Sequence, residues 1–486
     1  MTHALEPVAP ERRAWILAAA AVGAFVSTVM ATAVNVALPS LVTAFDAPFA
    51  LVQWVVLAYL LVTAALLPIV GRLADMWGKR AIFVGGFVVF GLGSLATGLA
   101  PGIEALIVFR AVHGLGSAVL TGVGLAIVTD VYPEEHRGRA IGINGAVLAT
   151  GIVMGPALGG ALVELDWRLV FLAGVPVAAC GGWLAWKFVP RYARGTKQRF
   201  DLPGAALLVA ALTSLSLALT LGQGRGFGDP WIVTSFALAA ALAPLFLLRQ
   251  ARTDHPVVDL SLFREARLSI GLAAGLGTFV SIAGTIFVMP FYLELVQGRT
   301  PGEVGLLMAV TPMLLVIVSP IAGALADRYG ERIVTVVGLG FALVGFTAVG
   351  TLSESTTALG FVLRFVPVGI GMATFQSPNN SAIMGAVPPG RSGVAGGLLG
   401  LTRALGQTVG IAVLGSLWAA RVALHAAADG ADGAAVASAS AQVAGLHDMM
   451  RVVQALIIAS LILCVWDLRR RHAPPRYDRQ RTIIRS

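Results

Sequence analysis

Long apolar runs separated by short polar breaks fill the chain. Read together, charges, Pro/Gly breaks and run lengths predict helices near residues 15–38, 52–73, 81–100, 104–128, 139–163, 168–189, 203–221 and 231–248. Six more follow near 268–293, 304–326, 333–352, 358–384, 394–420 and 449–467. Such runs reach or approach the ~20 residues that a helix needs to cross a ~30 Å hydrocarbon core, and 81–100 contains no charge. The first run is too long, and too often repeated downstream, to be a cleaved signal peptide. The pattern is six spans, then two, then six, which makes the expected fold class an all-α integral membrane protein.

The polar breaks orient the chain. If the N-terminus is cytoplasmic, 26 of the 34 basic residues lie on the cytoplasmic side, five lie outside (Arg168, Arg225, Arg299, Arg421, Arg451), and Arg110, Arg364 and Arg403 lie within spans. Short cytoplasmic loops retain Lys and Arg, so both termini are expected in the cytoplasm of a multi-pass cell-membrane protein. Residues 190–201 form a basic linker, which orients the chain or attracts anionic headgroups. Residues 421–448 are expected to be an outer loop.

Composition agrees: 57% of the 486 residues are hydrophobic and 12% charged, with a mean hydropathy of +0.84, against roughly 25% charged in soluble domains. Abundant Gly and Ala suit close helix packing in lipid. The net charge of +9 does not indicate nucleic acid, because the basic residues cluster between apolar runs without aromatic interleaving or zinc spacing. Cys180 and Cys464 sit far apart within apolar runs, so neither a disulfide framework nor a metal site is implied. The chain carries no nucleotide-binding Gly-Lys phrase, no paired metal-spaced histidines and no nucleophile near a base. An enzyme, an ATP-driven pump, a cofactor and a metal are therefore not expected.

One phrase occurs twice. Gly71-Arg-Leu-Ala-Asp75-Met-Trp-Gly78-Lys-Arg80 follows span two of the first six, and Gly323-Ala-Leu-Ala-Asp327-Arg-Tyr-Gly330-Glu-Arg332 follows span two of the second six. The same offset on the same side implies a duplicated six-helix unit. In each copy the first glycine would permit close helix contact, the aspartate would place a charge at the membrane edge, and the second glycine would allow a tight reversal. The expected domains are 1–190 (six-helix bundle), 191–265 (basic linker and two extra helices), 266–470 (second bundle) and 471–486 (basic cytoplasmic tail).

These phrases resemble the loop signature of the major facilitator superfamily. Other stretches resemble its fourteen-span drug:proton antiporter branch: Asn35-Val-Ala-Leu-Pro39, Gln53-Trp54 with Tyr59, Arg110-Ala-Val-His113-Gly114, and Gly151-Ile-Val-Met-Gly155-Pro156-Ala-Leu-Gly159-Gly160 followed by Trp167-Arg168. The resemblance implies a major facilitator fold, two six-helix bundles with two extra transmembrane helices between them. It also implies a monomer that exports drugs, antibiotics or metabolites by proton antiport. Its partners would be a small-molecule substrate, protons and the bilayer. Uptake of a small neutral or anionic metabolite is the alternative. The resemblance assigns gating loops to Gly71, Asp75, Gly78, Arg80, Asp327 and Arg328, and an antiporter motif to Gly151, Gly155, Pro156, Gly159 and Gly160. It links Arg110 to proton coupling.

Ionisable groups within spans are costly and usually face a cavity. Arg110, Arg364 and Arg403 either do so or bond backbone carbonyls at a helix break. His113 lies three residues after Arg110 on the same helix face, as a proton carrier or a neutral core histidine. The family usually has an acid where this chain has Met30. That loss leaves the first bundle without a mid-span carboxylate, makes Glu294 the best remaining one, and favours a neutral or anionic substrate. Asn35, Asn144, Gln376, Asn379, Asn380 and Gln407 supply polar groups for a pathway, and Pro378 frees backbone carbonyls beside two of these amides.

Overall fold

A computed structural model describes residues 9–190, 201–253, 256, 260–387, 392–426 and 437–469. The basic linker at 191–200 and the tail from 470 onward lie outside the described residues. Sixteen α-helices and no strand are present among the described residues. Among the described residues fourteen helical segments are long and apolar enough to span a bilayer.

The first bundle comprises α1 (Pro10–Phe45), α2 (Phe49–Trp77), α3 (Lys79–Gly98), α4 (Ile103–Val131) and α5 (Glu134–Val163), with a sixth span broken into α6 (Trp167–Leu172) and α7 (Gly174–Phe188). The extra pair is α8 (Leu202–Arg225) and α9 (Pro230–Arg252). The second bundle comprises α10 (Ala266–Phe291), a broken span α11 (Pro301–Met308) and α12 (Val310–Tyr329), α13 (Glu331–Val349), α14 (Ala358–Gly385), α15 (Ser392–Ala426) and α16 (Ala439–Arg469). The fold is therefore the six-two-six arrangement expected of the sequence.

One expectation changes. The two ends of the expected outer loop at 421–448 are helical, because α15 continues to Ala426 and α16 begins at Ala439; residues 427–436 lie outside the described residues. Their polar side chains pair: Asp448 accepts from Arg421 at 2.7 Å and Arg451 at 2.6 Å, and lies 3.0 Å from His425 Nε2. Glu294 lies at the distal end of its span, in a π-helical turn, Tyr292–Val296, that continues α10.

Each repeated phrase turns the chain in the same way. Gly78 has φ 97° and Gly330 φ 90°, left-handed values that a side chain would strain. The adjoining basic residues tie the bundles internally. Lys79 meets Asp130 at 2.6 Å, Arg80 donates to the Trp186 carbonyl, and Arg332 meets Asp467 at 3.0 Å. Asp327 and Arg328 are exposed, and the Asp75 side chain lies outside the described residues. A Cβ on Gly71 would meet nothing within 4 Å, so close contact there is not made in this conformation.

The buried core explains the conformation. We call the face where α1 begins and α16 ends the terminal face, and its opposite the distal face. One apolar cluster runs through the distal half of both bundles, joining Phe49 and Val52 to Phe287, Phe291 and Trp418. Toward the terminal face the apolar clusters separate: one belongs to the first bundle, another to α10, α14, α15 and the extra pair. Gly142 and Gly145 on α5, and Gly396, Gly397 and Gly400 on α15, have nothing within 4 Å of a built Cβ. The bundles are sealed distally and parted at the terminal face.

The extra pair is asymmetric. α8 packs on α2 and on α15, one helix from each bundle, and Trp54 Nε1 donates to Thr220 Oγ1 at 2.8 Å. α9 packs chiefly on α8 and is largely exposed to the surroundings. At their terminal ends buried Asp201 accepts from Arg249 at 2.6 Å, Gln250 at 2.8 Å and the Gly204 amide at 3.0 Å. Burial raises the Asp201 pKa, and those donors outweigh it, holding the carboxyl below its ordinary value.

Candidate functional site

A cavity of about 180 Å³ lies where the two bundles meet. α1 contributes Thr32 and Asn35, α5 Ile152 and Pro156, and α10 Phe279, Ile282 and Ile286. α11 and α12 add Met308, Thr311, Pro312 and Leu315; α14 adds Met372 and Gln376; α15 adds Arg403 and Gln407. Of the ten pathway residues expected from sequence, Asn35, Gln376, Arg403 and Gln407 line this wall.

The α5 motif builds one side of it. Gly151, Gly155 and Gly159 recur every four residues, so they share one helix face, and that face rests on α1. A Cβ on Gly151 would lie 3.1 Å from the Phe25 carbonyl oxygen, and one on Gly159 2.7 Å from that of Ala33. Pro156 and Gly160 share the neighbouring face, which rests on α11. A Cβ on Gly160 would overlap the Pro301 carbonyl oxygen, and one on Gly305 would overlap that of Pro156. Pro156 also donates no hydrogen bond to the Ile152 carbonyl, and both residues line the cavity. The motif is thus a joint between α1, the cavity and the opposite bundle.

The distal seal completes the floor. Buried Gln53 on α2 donates to the Ile411 carbonyl of α15 at 2.7 Å. Phe49 packs at ring separations of 5.6, 5.0 and 5.1 Å against Phe287, Phe291 and Trp418. Glu164 Oε1 accepts from the Gly302 amide at 3.0 Å.

Arg403 has a different setting from the other two intramembrane arginines. It is exposed to the cavity, and its guanidinium carbon lies 5.5 Å from the Phe279 ring centre. Arg364 sits near the distal start of α14, where it donates to the Gly360 carbonyl at 2.9 Å and Thr351 Oγ1 at 3.0 Å. It acts there as a tie between α14 and the preceding loop.

Arg110 and His113 are fully buried in the first bundle and do not line the cavity. Gly114 and Gly116 let α2 and α3 close upon α4, since a Cβ at either would overlap the Tyr59 or Phe90 backbone. Arg110 Nε donates to the Val55 carbonyl at 3.0 Å, and Nη1 lies 3.2 Å from His113 Nδ1. An arginine only donates, so His113 Nδ1 accepts and its ring is the neutral Nε2–H form. The guanidinium also stands 4.2 Å above the Tyr59 ring. Arg110 Nη2 and His113 Nε2 are buried without a hydrogen-bond partner.

Met30 belongs to this interior too. It is buried among Phe87, Phe90 and Val170, and Phe90 stacks edgewise on His113 at 4.2 Å. The position that the family usually gives an acid therefore does not face the cavity in this conformation.

The remaining sequence candidates are dispersed. Asn379 Nδ2 donates to the Gly271 carbonyl at 3.2 Å, tying α14 to α10. Buried Asn144 on α5 leaves its Oδ1 unpaired, and Asn380 lies on α14 outside the cavity wall. Glu294 sits in the distal π turn with Oε1 buried and unpaired. Sequence reading did not single out Thr32, Phe279, Met308 or Met372, since a threonine, a phenylalanine or a methionine within an apolar run carries no signal of which way it faces. Gln53 had a signal, an amide beside Trp54, but not its partner 358 residues away.

The family profile described as Major Facilitator Superfamily matches residues 20–411. The riboflavin transporter RibZ of Clostridioides difficile is 30% identical over 412 residues, covering 84% of this chain and 89% of RibZ. The multidrug resistance protein Stp of Mycobacterium tuberculosis is 34% identical over 406 residues, covering 83% of this chain and 75% of Stp. Among solved structures, a bacterial homologue of the human lysosomal transporter Spinster, inward-facing and occupied, superposes with a TM-score of 0.70 at 18% identity, covering 96% of this chain and 100% of that one.

Proposed function

The chain belongs to the major facilitator superfamily, and from that premise we propose that it exports small molecules from the cell by proton antiport. It is a multi-pass transporter of the cell membrane. The reading is carried by one observation: a mixed polar and apolar cavity between two bundles that are sealed distally and parted at the terminal face. The basic residues concentrate in the segments of the sequence that connect at the terminal face, which supports reading that face as cytoplasmic. The cavity then loads from inside. Rocking the bundles would bring the open glycines of α5 and α15 together and separate Phe49, Gln53 and Gly160 from their distal partners. Resemblance to a multidrug resistance protein supports export.

For the coupled proton, Glu294 is our candidate carboxylate, because its Oε1 is buried and unpaired at the distal end of α10. Uptake is the second reading, favoured by the similarity to a protein described as a riboflavin transporter. Cells expressing the protein are expected to hold less of a transported fluorescent compound than control cells, and an uncoupler should erase the difference. Greater accumulation in expressing cells would reverse the direction and leave uptake as the function.

A further inference from the structure

We propose that the central cavity selects organic anions with a planar apolar body and a hydrogen-bond donor. The inference rests on the transport reading of the cavity and names the substrate class that fits it. Three features of the wall carry it.

The first is charge. Among the described residues Arg403 is the only ionisable side chain lining the cavity, with no Asp or Glu beside it. Among the described residues it makes no hydrogen bond or ion pair, and its guanidinium lies over the ring of Phe279. A guanidinium at membrane depth normally pairs with an acid or with backbone carbonyls. Here the fork of donors opens into the cavity, a geometry suited to bidentate contact with a carboxylate or another pair of acidic oxygens. A cation entering the same space would meet a like charge with no compensating acid.

The second is an unused acceptor. Asn35 Oδ1 is buried at the wall with no hydrogen-bond partner. Buried polar atoms are rarely left unpaired, so a bound molecule carrying a hydroxyl or N–H would satisfy it. Gln376 and Gln407 also make no side-chain hydrogen bonds among the described residues, and an amide can serve as donor or acceptor.

The third is the apolar surface. Phe279, Met308 and Met372 lie on the wall with aliphatic side chains. Methionine adapts its shape and contacts aromatic rings favourably, and Phe279 offers a face or edge to a flat ring system. An inorganic anion would leave this surface unused.

The test is binding to the purified full chain in nanodiscs, using three probes on one skeleton: 6-hydroxy-2-naphthoate, its primary carboxamide and the corresponding trimethylammonium compound. The anion is expected to bind at least about tenfold tighter than the carboxamide, the size of one charge-assisted bond. Arg403→Gln should remove that advantage while leaving the carboxamide within about threefold, and Arg403→Glu should turn the preference toward the cation. Arg403 bonds nothing else described, so both variants should melt near the wild-type temperature. Tighter binding of the cation to wild type, an anion advantage that survives Arg403→Gln, or no binding of any probe to normally folded protein would each overturn the proposal. Binding is read without flux, so a failure of proton-driven export would appear separately.

Discussion

Gly160→Leu is expected to abolish transport and hold the protein open at its distal face. The side chain would enter the space occupied by the Pro301 carbonyl oxygen and the Cα atoms of Gly302 and Gly305, the latter pair at 3.1 Å from a built Cβ. Those neighbours are backbone, so they cannot swing aside as a flexible side chain would. Overpacking of this kind costs about 1–3 kcal/mol. The cost falls only on the distally closed state, because separation of α5 from α11 relieves it. A bias of that size moves a two-state equilibrium by roughly five- to a hundred-and-fiftyfold. The measurement is labelling of a single cysteine at Val304, a fully buried α11 residue of the distal cluster, in a Cys180→Ser, Cys464→Ala background. A membrane-impermeant maleimide should react slowly with otherwise unchanged protein and rapidly when Gly160→Leu is present. Gly85→Leu provides the control, since a Cβ there meets nothing within 4 Å, and it should neither expose Val304→Cys nor stop transport. Slow labelling in the Gly160 variant would mean that α5 and α11 do not separate during the cycle.

Arg110→Met is expected to remove transport while leaving the melting temperature nearly unchanged. Methionine follows the arginine stem about as far as Nε, so packing along the stem is kept and only a small void is left at the guanidinium. What changes is a buried cation without an acid. Its desolvation costs several kcal/mol. Against this stand bonds to the Val55 carbonyl and His113 Nδ1, at roughly 1.5–3 kcal/mol each, and a contact with the Tyr59 face of about 2 kcal/mol. Cost and gain nearly cancel. The Val55 carbonyl lies inside α2 and keeps its place in the helix ladder, so methionine orphans chiefly one imidazole nitrogen. A buried arginine that adds so little net stability is better explained by the transport cycle than by the fold. Flux at least tenfold below wild type at equal thermal stability is the expected outcome. A fall in melting temperature that tracks the fall in flux would make Arg110 a structural tie.

The spans were legible because the bilayer imposes one length on every crossing, and the terminal face was legible because basic residues collect on one side of it. The reversals at Gly78 and Gly330 were legible for a local reason: their left-handed φ values suit glycine. Helix rotation was not. In a membrane, both the lipid-facing side and the packed side of a helix are apolar, so nothing in the pattern of α1 distinguishes Asn35, at the cavity wall, from Met30, in the bundle interior. The same ambiguity placed Arg110, His113 and Arg403 in one sequence category, although only Arg403 reaches the cavity. Polar composition misled at the two described ends of 421–448. Arginine, histidine and aspartate there suggested a loop, whereas Asp448 gathers Arg421, His425 and Arg451 onto two extended helices. The α5 glycines were recognised as a packing motif, but that Gly160 meets the second bundle rather than its own could come only from the fold.

The central claim, proton-driven movement from the terminal face through the cavity and out at the distal face, is tested most directly with the purified chain in proteoliposomes. Molecules should be oriented with the terminal face outward, or sidedness should be resolved by a blocking reagent. With the lumen made acidic, matching the outside of a cell, a transported probe is expected to accumulate in the lumen while the lumen loses protons, both stopping when a protonophore collapses the gradient. Probe movement that is indifferent to the imposed gradient, or that follows the protons in the same direction, would contradict the account.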